Sequence, residues 1–110
     1  MIDLYTWSTP NGRKISIMLE ECSLQYNVKP INITKDEQFD KEFIKLSPNN
    51  KIPAIYDHDT NISMMESGAI LIYLSEKTKM FLPKSREETI IRDEWLMSQM
   101  ASLGPMLGQV

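Results

Sequence analysis

The succession of strand and helix patterns along the chain most constrains what it can fold into. "MIDLYT" alternates apolar and polar residues as a short strand does, and "STPNGRK" interrupts the alternation. The next apolar residues recur at helical spacing, at Ile15, Met18, Leu19 and Cys22. "LQYNVKPINI" then returns to the alternation of a strand, with a break at Pro30. Two strands joined through a helix predict a βαβ unit.

A different order of elements follows this unit. The helical spacing of Phe39, Phe43 and Leu46 predicts a short helix. Pro48 should end it, because helical geometry is disfavoured for the residue before a proline. Two short strands come next, at residues 51–56 and 62–65, and the polar "DHDTN" between them predicts an antiparallel hairpin.

Two helices have predicted starting points. Thr9 is suited to cap the first helix and Pro10 to occupy its first position. In "ESGAILIYLSEKTK" Ser67 is the expected cap. The residues of this helix that should face the sheet are Ile70, Leu71 and Leu74.

The complete order, βαβ-α-ββα, predicts a thioredoxin-like α/β domain with a four-stranded mixed sheet over residues 1–83. From residue 84 the composition changes to a charged, strongly helical stretch, "REETIIRDEWLMSQMASL". We interpret residues 84–110 as the start of an all-helical C-terminal domain. Its apolar residues cover more than one helix face, so we expect self-association or burial by another domain.

Composition argues against several functions. The net charge of −3 gives no broad basic surface for nucleic acid. Apolar runs such as "AILIYL" fall short of the roughly 20 residues that a membrane span needs, so we expect a cytoplasmic protein. The only cysteine and the only histidine, Cys22 and His58, cannot form an all-Cys/His zinc site, and we predict no metal.

Pro53 interrupts a run that otherwise has the character of a buried strand, in "PNNKIPAIYD". In a thioredoxin-like sheet the proline that opens the third strand is expected to follow a cis peptide bond. The N–H and C=O of Ile52 would then point out of the sheet, where an extended peptide could pair with them. An ordinary trans proline at the start of a strand is the alternative.

Disulfide chemistry in this fold ordinarily uses a Cys-x-x-Cys pair at the start of the first helix, where this chain has "STPNGR". Cys22 lies further along the helix on its apolar stripe, where we expect a packed and inert thiol. A reactive sulfur must therefore arrive with the ligand.

Three spaced motifs resemble the glutathione-binding domain of cytosolic glutathione transferases: "TPNGRKI", "SPNNKIPAI" and "ESGAILIYL". Together with "GPMLGQ" near the C-terminus they are most similar to the bacterial Nu-class transferases with disulfide-bond oxidoreductase activity. The resemblance covers essentially the whole chain. It implies that proteins of this kind carry an all-helical C-terminal domain, which supplies the electrophile pocket and much of a homodimer interface.

The resemblance also implies a set of residues that bind glutathione. Ile52, turned by Pro53, would pair with the cysteinyl unit, while Glu66 and Ser67 would hold the γ-glutamyl end. A helix start favours a carboxylate, and a glutamate can accept from an ammonium, so both roles are physically reasonable. Taken alone, "ESG" is better interpreted as an ordinary helix cap.

Four further positions are assigned in the same way. Lys51 would lie near the glycyl carboxylate and Gln38 would contact the same tripeptide, although an isolated lysine is usually a solvated surface group. Thr9 and Asn11 would hydrogen-bond the glutathione sulfur and stabilise its thiolate. The alternative is that Thr9 only caps the helix and Asn11 only fills its first turn.

These inferences predict a glutathione-dependent disulfide-bond oxidoreductase with glutathione transferase activity. It would bind glutathione or glutathione disulfide, activate the thiolate and act on small disulfides or electrophiles. The alternative is a non-catalytic binding module that keeps the transferase fold. A glutaredoxin-like enzyme with its own cysteine is contradicted by the first helix.

Overall fold

The computed structural model describes residues 1–108. The last two residues of the predicted C-terminal domain lie outside the described residues, and one of them is Gln109 of the "GPMLGQ" motif. Contacts divide the chain into a first unit, Met1–Thr78, and a second that begins at Lys79. The boundary predicted from sequence, between residues 83 and 84, stays a prediction.

Four strands form one mixed sheet in the order β2-β1-β3-β4. Their bounds are β1 Ile2–Thr6, β2 Tyr26–Pro30, β3 Ala54–Asp57 and β4 Ile62–Met65. β1 pairs parallel with β2 and antiparallel with β3, and β3 pairs antiparallel with β4. The predicted thioredoxin-like fold and its hairpin are therefore confirmed.

Three α-helices belong to the first unit: α1 Pro10–Glu21, α2 Lys41–Leu46 and α3 Ser67–Thr78. Two short 3₁₀ segments, Ile33–Lys35 and Glu37–Phe39, lie between β2 and α2. α1 begins as predicted, with Thr9 at the N-cap and Pro10 at the first helical position.

The core lies between the sheet and the two longer helices of the first unit. Its fully buried residues are Ile2, Leu4 and Ile55 from the strands, Ile15 and Leu19 from α1, and Ile70 and Leu74 from α3. Each such side chain contributes about 1.5–3 kcal/mol on burial. α2 packs on the opposite face, where the rings of Phe43 and Tyr5 lie 6.3 Å apart. The core thus fixes the positions of the strand ends and helix starts.

Three details of the sequence-based prediction are wrong. Phe39 lies outside α2 and is 56% exposed, because the extended backbone of Asp40 separates it from the helix. The third strand begins at Ala54 instead of residue 51, after a turn and a proline that has no N–H to donate. Ser67 is the first residue of α3, since the C=O of Glu66 accepts the N–H of Ile70 at 3.0 Å and Glu66 occupies the cap position.

The second unit is helical, as predicted for this stretch. α4 spans Arg86–Ser98, a π-helical segment spans Gln99–Leu103, and α5 spans Gly104–Gly108. Ser85 caps α4 by accepting the N–H of Glu88 at 3.1 Å. The exposed apolar side chains of the second unit include Ile90, Ile91, Trp95, Met97, Leu103, Met106 and Leu107. Among residues 1–108 no helix has the length and apolar character that a membrane crossing requires.

Candidate functional site

The strand register brings the predicted site residues to one end of the sheet. Ala54, the first residue of β3, pairs with Tyr5 near the end of β1 and with Met65 at the end of β4. In the parallel pair, Thr6 lies opposite Pro30 at the end of β2. The segments that follow β1, β2 and β4 and the segment that precedes β3 therefore emerge together. Three of these strands, β1, β3 and β4, span about 10 Å, roughly the length of an extended tripeptide.

The start of α1 lies at this end and has few free hydrogen-bonding groups. Thr9 Oγ1 accepts the N–H of Gly12 at 3.1 Å, and the C=O of Thr9 accepts the N–H of Arg13 at 3.0 Å. Pro10 has no N–H. Within residues 1–108, the N–H of Asn11 and the hydroxyl proton of Thr9 have no described acceptor. The cap and a donor role for Thr9 are compatible, because a hydroxyl can accept and donate at once.

Gly12 keeps this helix start compact. A Cβ at this position would collide with Thr6 Oγ1 and would lie 2.6 Å from the carbonyl oxygen of Trp7. The absence of a side chain therefore lets the loop after β1 pack directly on the first turn of α1.

The side chain of Asn11 is held from one side. Lys14 Nζ donates to Asn11 Oδ1 at 2.7 Å, one helical turn further on. Burial lowers the pKa of the Lys14 ammonium below its ordinary value. With its oxygen bonded to Lys14, Asn11 retains its amide N–H groups as donors. Lys14 had no predicted role, although its spacing of three residues from Asn11 would have indicated the contact.

The backbone of Ile52 is available at the entrance to β3. The Ile52–Pro53 peptide bond is cis, and Ile52 is half-buried. The hydrogen bonds described for residues 1–108 include none to its N–H or C=O. Lys51 beside it is exposed, and no ion pair of its ammonium is described among those residues. An unpaired backbone donor and acceptor next to a cation suit an extended ligand that carries a carboxylate.

Glu66 connects β4 directly to α3 and has an unusual backbone. Its φ of 73° lies in the left-handed region, which favours glycine. The strand thereby turns into the helix within one residue, and the exposed carboxylate of Glu66 stands beside the helix start. Ser67 is buried at the first helical position and has a partner. Residues with strained backbone conformations are common at functional sites.

Gln38 lies in the segment after β2, within the short 3₁₀ turn Glu37–Phe39. Its side-chain oxygen Oε1 is buried and has no hydrogen-bond partner among the described residues. Neighbouring Glu37 accepts the N–H of Asn32 at 2.7 Å, which closes the loop that carries Gln38. An unpaired buried oxygen is costly unless a ligand or water supplies a donor.

A separate cleft of about 330 Å³ lies on the α2 side of the sheet. Tyr5, Ile31, Asp40 and four residues of α2 line it. Burial, and then the charge of Asp3, raise the pKa of Tyr5 above its ordinary value, so its hydroxyl is a poor source of an anion. Within residues 1–108, no group of three or more His, Cys, Asp or Glu side chains is arranged to hold a metal ion.

The fold and the strand-end geometry define a thioredoxin-like domain whose first helix begins without cysteine. The chain belongs to the glutathione S-transferase family, because residues 1–76 match the family model described as Glutathione S-transferase, N-terminal domain.

Two curated relatives are disulfide-bond oxidoreductases from Escherichia coli strain K12. YfcG is 50% identical over 114 residues, a match that covers 99% of this chain and 53% of YfcG. YghU is 41% identical over 118 residues, a match that covers 97% of this chain and 41% of YghU. The chain thus spans about half the length of the curated relatives that it matches.

Solved structures of similar proteins carry glutathione. A glutathione transferase family member from Pseudomonas fluorescens pf-5, with two glutathione bound, has a TM-score of 0.92 and 45% identity. A glutathione transferase from Pseudomonas putida, with one glutathione disulfide bound per subunit, has a TM-score of 0.92 and 46% identity. Each match covers 98% of this chain and 49% of the other chain.

Proposed function

We propose that this chain binds glutathione or glutathione disulfide and supports glutathione-dependent disulfide reduction, with transfer to electrophiles as a second activity. The observation that carries the proposal is the unpaired N–H and C=O of Ile52, at the sheet end from which the segments with the other predicted residues emerge. The relatives named as disulfide-bond oxidoreductases, and the solved structures with glutathione, support the choice of ligand.

The binding mode that we propose contacts the central cysteinyl unit and both ends of the tripeptide. The Ile52 backbone pairs with the cysteinyl unit as an added strand would, with Pro53 setting the direction of the chain. Glu66 accepts from the γ-glutamyl ammonium and the start of α3 at Ser67 favours the adjacent carboxylate. Lys51 pairs with the glycyl carboxylate, and a donor on the ligand satisfies the buried oxygen of Gln38.

The thiolate is stabilised at the start of α1. The Thr9 hydroxyl, the Asn11 amide and the Asn11 N–H are donors without described acceptors at the positive end of a twelve-residue helix. Lowering the pKa of a thiol by one unit takes about 1.4 kcal/mol, which two hydrogen bonds to a charged sulfur can supply. No cysteine of the protein is required.

The reaction that follows is thiol–disulfide exchange. The bound glutathione thiolate attacks one sulfur of a small disulfide, forming a mixed disulfide and releasing the other half as a thiolate that takes a proton. A second glutathione attacks the mixed disulfide, which yields glutathione disulfide and the second thiol. Two glutathione molecules are oxidised and one disulfide is reduced, so electrons balance without a metal.

Calorimetry with glutathione disulfide, followed by turnover of a small disulfide, tests the proposal. We expect micromolar binding to the chain, and Asn11→Ala should lower turnover about tenfold or more because a charge-assisted hydrogen bond is lost. Gln25→Ala is the matched control, since it removes an exposed carboxamide next to the start of β2, at the other end of the sheet. Unchanged turnover in Asn11→Ala would remove the role of that residue.

A non-catalytic binding module is the second candidate, favoured by the use of Thr9 Oγ1 as a helix cap. No binding at millimolar glutathione disulfide would support it. We also propose a cytoplasmic location. Self-association as a homodimer is a further proposal, supported by the exposed apolar side chains of α4 and α5. A light-scattering mass equal to one chain at high concentration would contradict the self-association.

A further inference from the structure

Ser47 lies where α2 ends and the segment leading to Ile52 begins. It is only 1% exposed although its side chain is polar. Its N–H donates to the C=O of Phe43 at 2.8 Å, which ties it to the last turn of α2. Ser47 precedes Pro48 at the predicted end of the helix and is the first residue of the "SPNNKIPAI" motif.

The hydroxyl of Ser47 satisfies both backbone groups of Lys51. It donates to the C=O of Lys51 at 2.7 Å and accepts the N–H of Lys51 at 3.3 Å. The C=O of Ser47 accepts the N–H of Asn50 at 2.9 Å, and Asn50 has a left-handed φ of 59°. The backbone and the hydroxyl of Ser47 together therefore close the turn that precedes Ile52.

The Ser47 hydroxyl also contacts the end of β4, the strand that leads to Glu66. Ser47 Oγ lies 4.0 Å from Met65 Sδ, and Met65 is the last residue of β4, directly before Glu66. Because the hydroxyl proton is given to Lys51, the contact with Met65 is one of packing. Ser47 thus stands between the backbone that enters β3 and the backbone that leaves β4.

We propose that Ser47 is a positioning residue of the glutathione site, an inference that rests on the proposed function. It holds the Lys51–Ile52 backbone so that the Ile52 N–H and C=O face the ligand before the ligand arrives. Ordering backbone on binding costs conformational entropy, so a turn that is fixed in advance improves affinity without touching the ligand.

The test compares Ser47→Ala and Ser47→Thr with wild type in the 110-residue chain by calorimetry with glutathione disulfide. Ser47→Ala leaves both backbone groups of Lys51 unpaired and should weaken binding about tenfold. Ser47→Thr keeps the hydroxyl and should bind within about twofold of wild type. In turnover assays we expect the KM for glutathione to rise in Ser47→Ala while kcat at saturation is unchanged.

Ser75→Ala is the matched control, because Ser75 is also a buried serine, in the C-terminal half of α3. It should lower the melting temperature without changing affinity. If Ser47→Ala behaves in the same way, or if Ser47→Thr loses as much affinity as Ser47→Ala, the positioning role is overturned. Absence of binding by the wild type would instead refute the proposed function, so the two failures are distinguishable.

Discussion

Lys14 and Asn11 are joined by a hydrogen bond of 2.7 Å from the ammonium to the amide oxygen, on the exposed side of the first turn of α1. The bond fixes which end of the Asn11 amide faces away from the lysine. It also places a cation within one helical turn of the proposed thiolate position.

We therefore predict that Lys14→Met raises the pKa of the bound glutathione thiol by about half a unit, since a nearby positive charge and an oriented amide are both lost. Lys14→Arg keeps the charge and the donor and should restore the wild-type pKa. The measurement is the ultraviolet absorbance of the thiolate in the complex, followed against pH. An unchanged thiol pKa in Lys14→Met would show that Lys14 has no effect on the sulfur.

The sequence predicted the fold because each of its elements has a local signal. The predicted first strand, the Thr9–Pro10 helix start and the helical spacing on α1 are all found in the structure. Local signals failed at Phe39, whose spacing suits a helix but whose neighbour Asp40 is extended. The spacing of apolar residues cannot reveal such an interruption, because the interruption depends on the backbone torsions of a single residue.

The candidate site was less accessible to sequence reasoning than the fold. Its predicted residues come from segments that only the sheet register brings to one end. Ser47 and Lys14 were missed because their contacts are to a backbone and to a residue on the same helix face. The contact of Ser47 leaves no pattern in residue type, whereas the spacing of Lys14 three residues after Asn11 is a helical signal that sequence reasoning did not use.

A substitution of Glu66 should change the affinity for glutathione disulfide far more than the free energy of unfolding. Glu66→Gly relieves the left-handed backbone, worth about 1 kcal/mol, but adds chain entropy to the unfolded state. We predict a change in the free energy of unfolding of less than about 1 kcal/mol. Affinity for glutathione disulfide should fall about tenfold, because the carboxylate that accepts from the ligand ammonium is lost.

Ser23→Gly is the control for this prediction. Ser23 follows α1, is exposed and has a left-handed φ of 54°, so the substitution gives the same backbone relief away from the site. Urea unfolding and calorimetry should show wild-type affinity in this variant. Equal affinity of Glu66→Gly and wild type would count against the carboxylate as a ligand group.

Cys22 should be chemically inert in the folded chain. Its side chain is 7% exposed, and its Sγ lies 3.5 Å from Thr78 Oγ1 in the last turn of α3. We predict that Cys22→Ala keeps wild-type disulfide reductase turnover, and that a thiol reagent labels Cys22 only when the protein is unfolded in urea. Rapid labelling of the folded protein, together with loss of turnover in Cys22→Ala, would instead indicate a catalytic cysteine.

Asp57 is the centre of an ionic network at the other end of the sheet from the candidate site. It is fully buried and accepts from Tyr73 Oη at 2.6 Å, Lys77 Nζ at 2.8 Å and the N–H of Asp59 at 2.9 Å. Burial alone would raise the pKa of Asp57, but the bonds from Lys77 and Tyr73 hold it below its ordinary value. The bond to Asp57 correspondingly raises the pKa of Lys77.

Asp57→Asn should lower the free energy of unfolding by about 3 kcal/mol at neutral pH, because it leaves Lys77 facing an amide in place of a carboxylate. An unfolded aspartate has a pKa of about 3.9, and the folded value lies lower, so this stabilisation is present above about pH 4. It is lost as the pH falls through the folded pKa. Urea unfolding at a series of pH values should therefore show the two proteins converging in acid.

Asp59→Asn is the matched control, since Asp59 also pairs with Lys77, at 3.0 Å, but its side chain is 60% exposed. Its effect on unfolding should be the smaller one, because solvent screens an exposed pair. Both variants should keep wild-type affinity for glutathione disulfide, since the network and the proposed site lie at opposite ends of β3. A difference between wild type and Asp57→Asn that persists unchanged in acid would mean that the carboxylate charge is not what stabilises the fold.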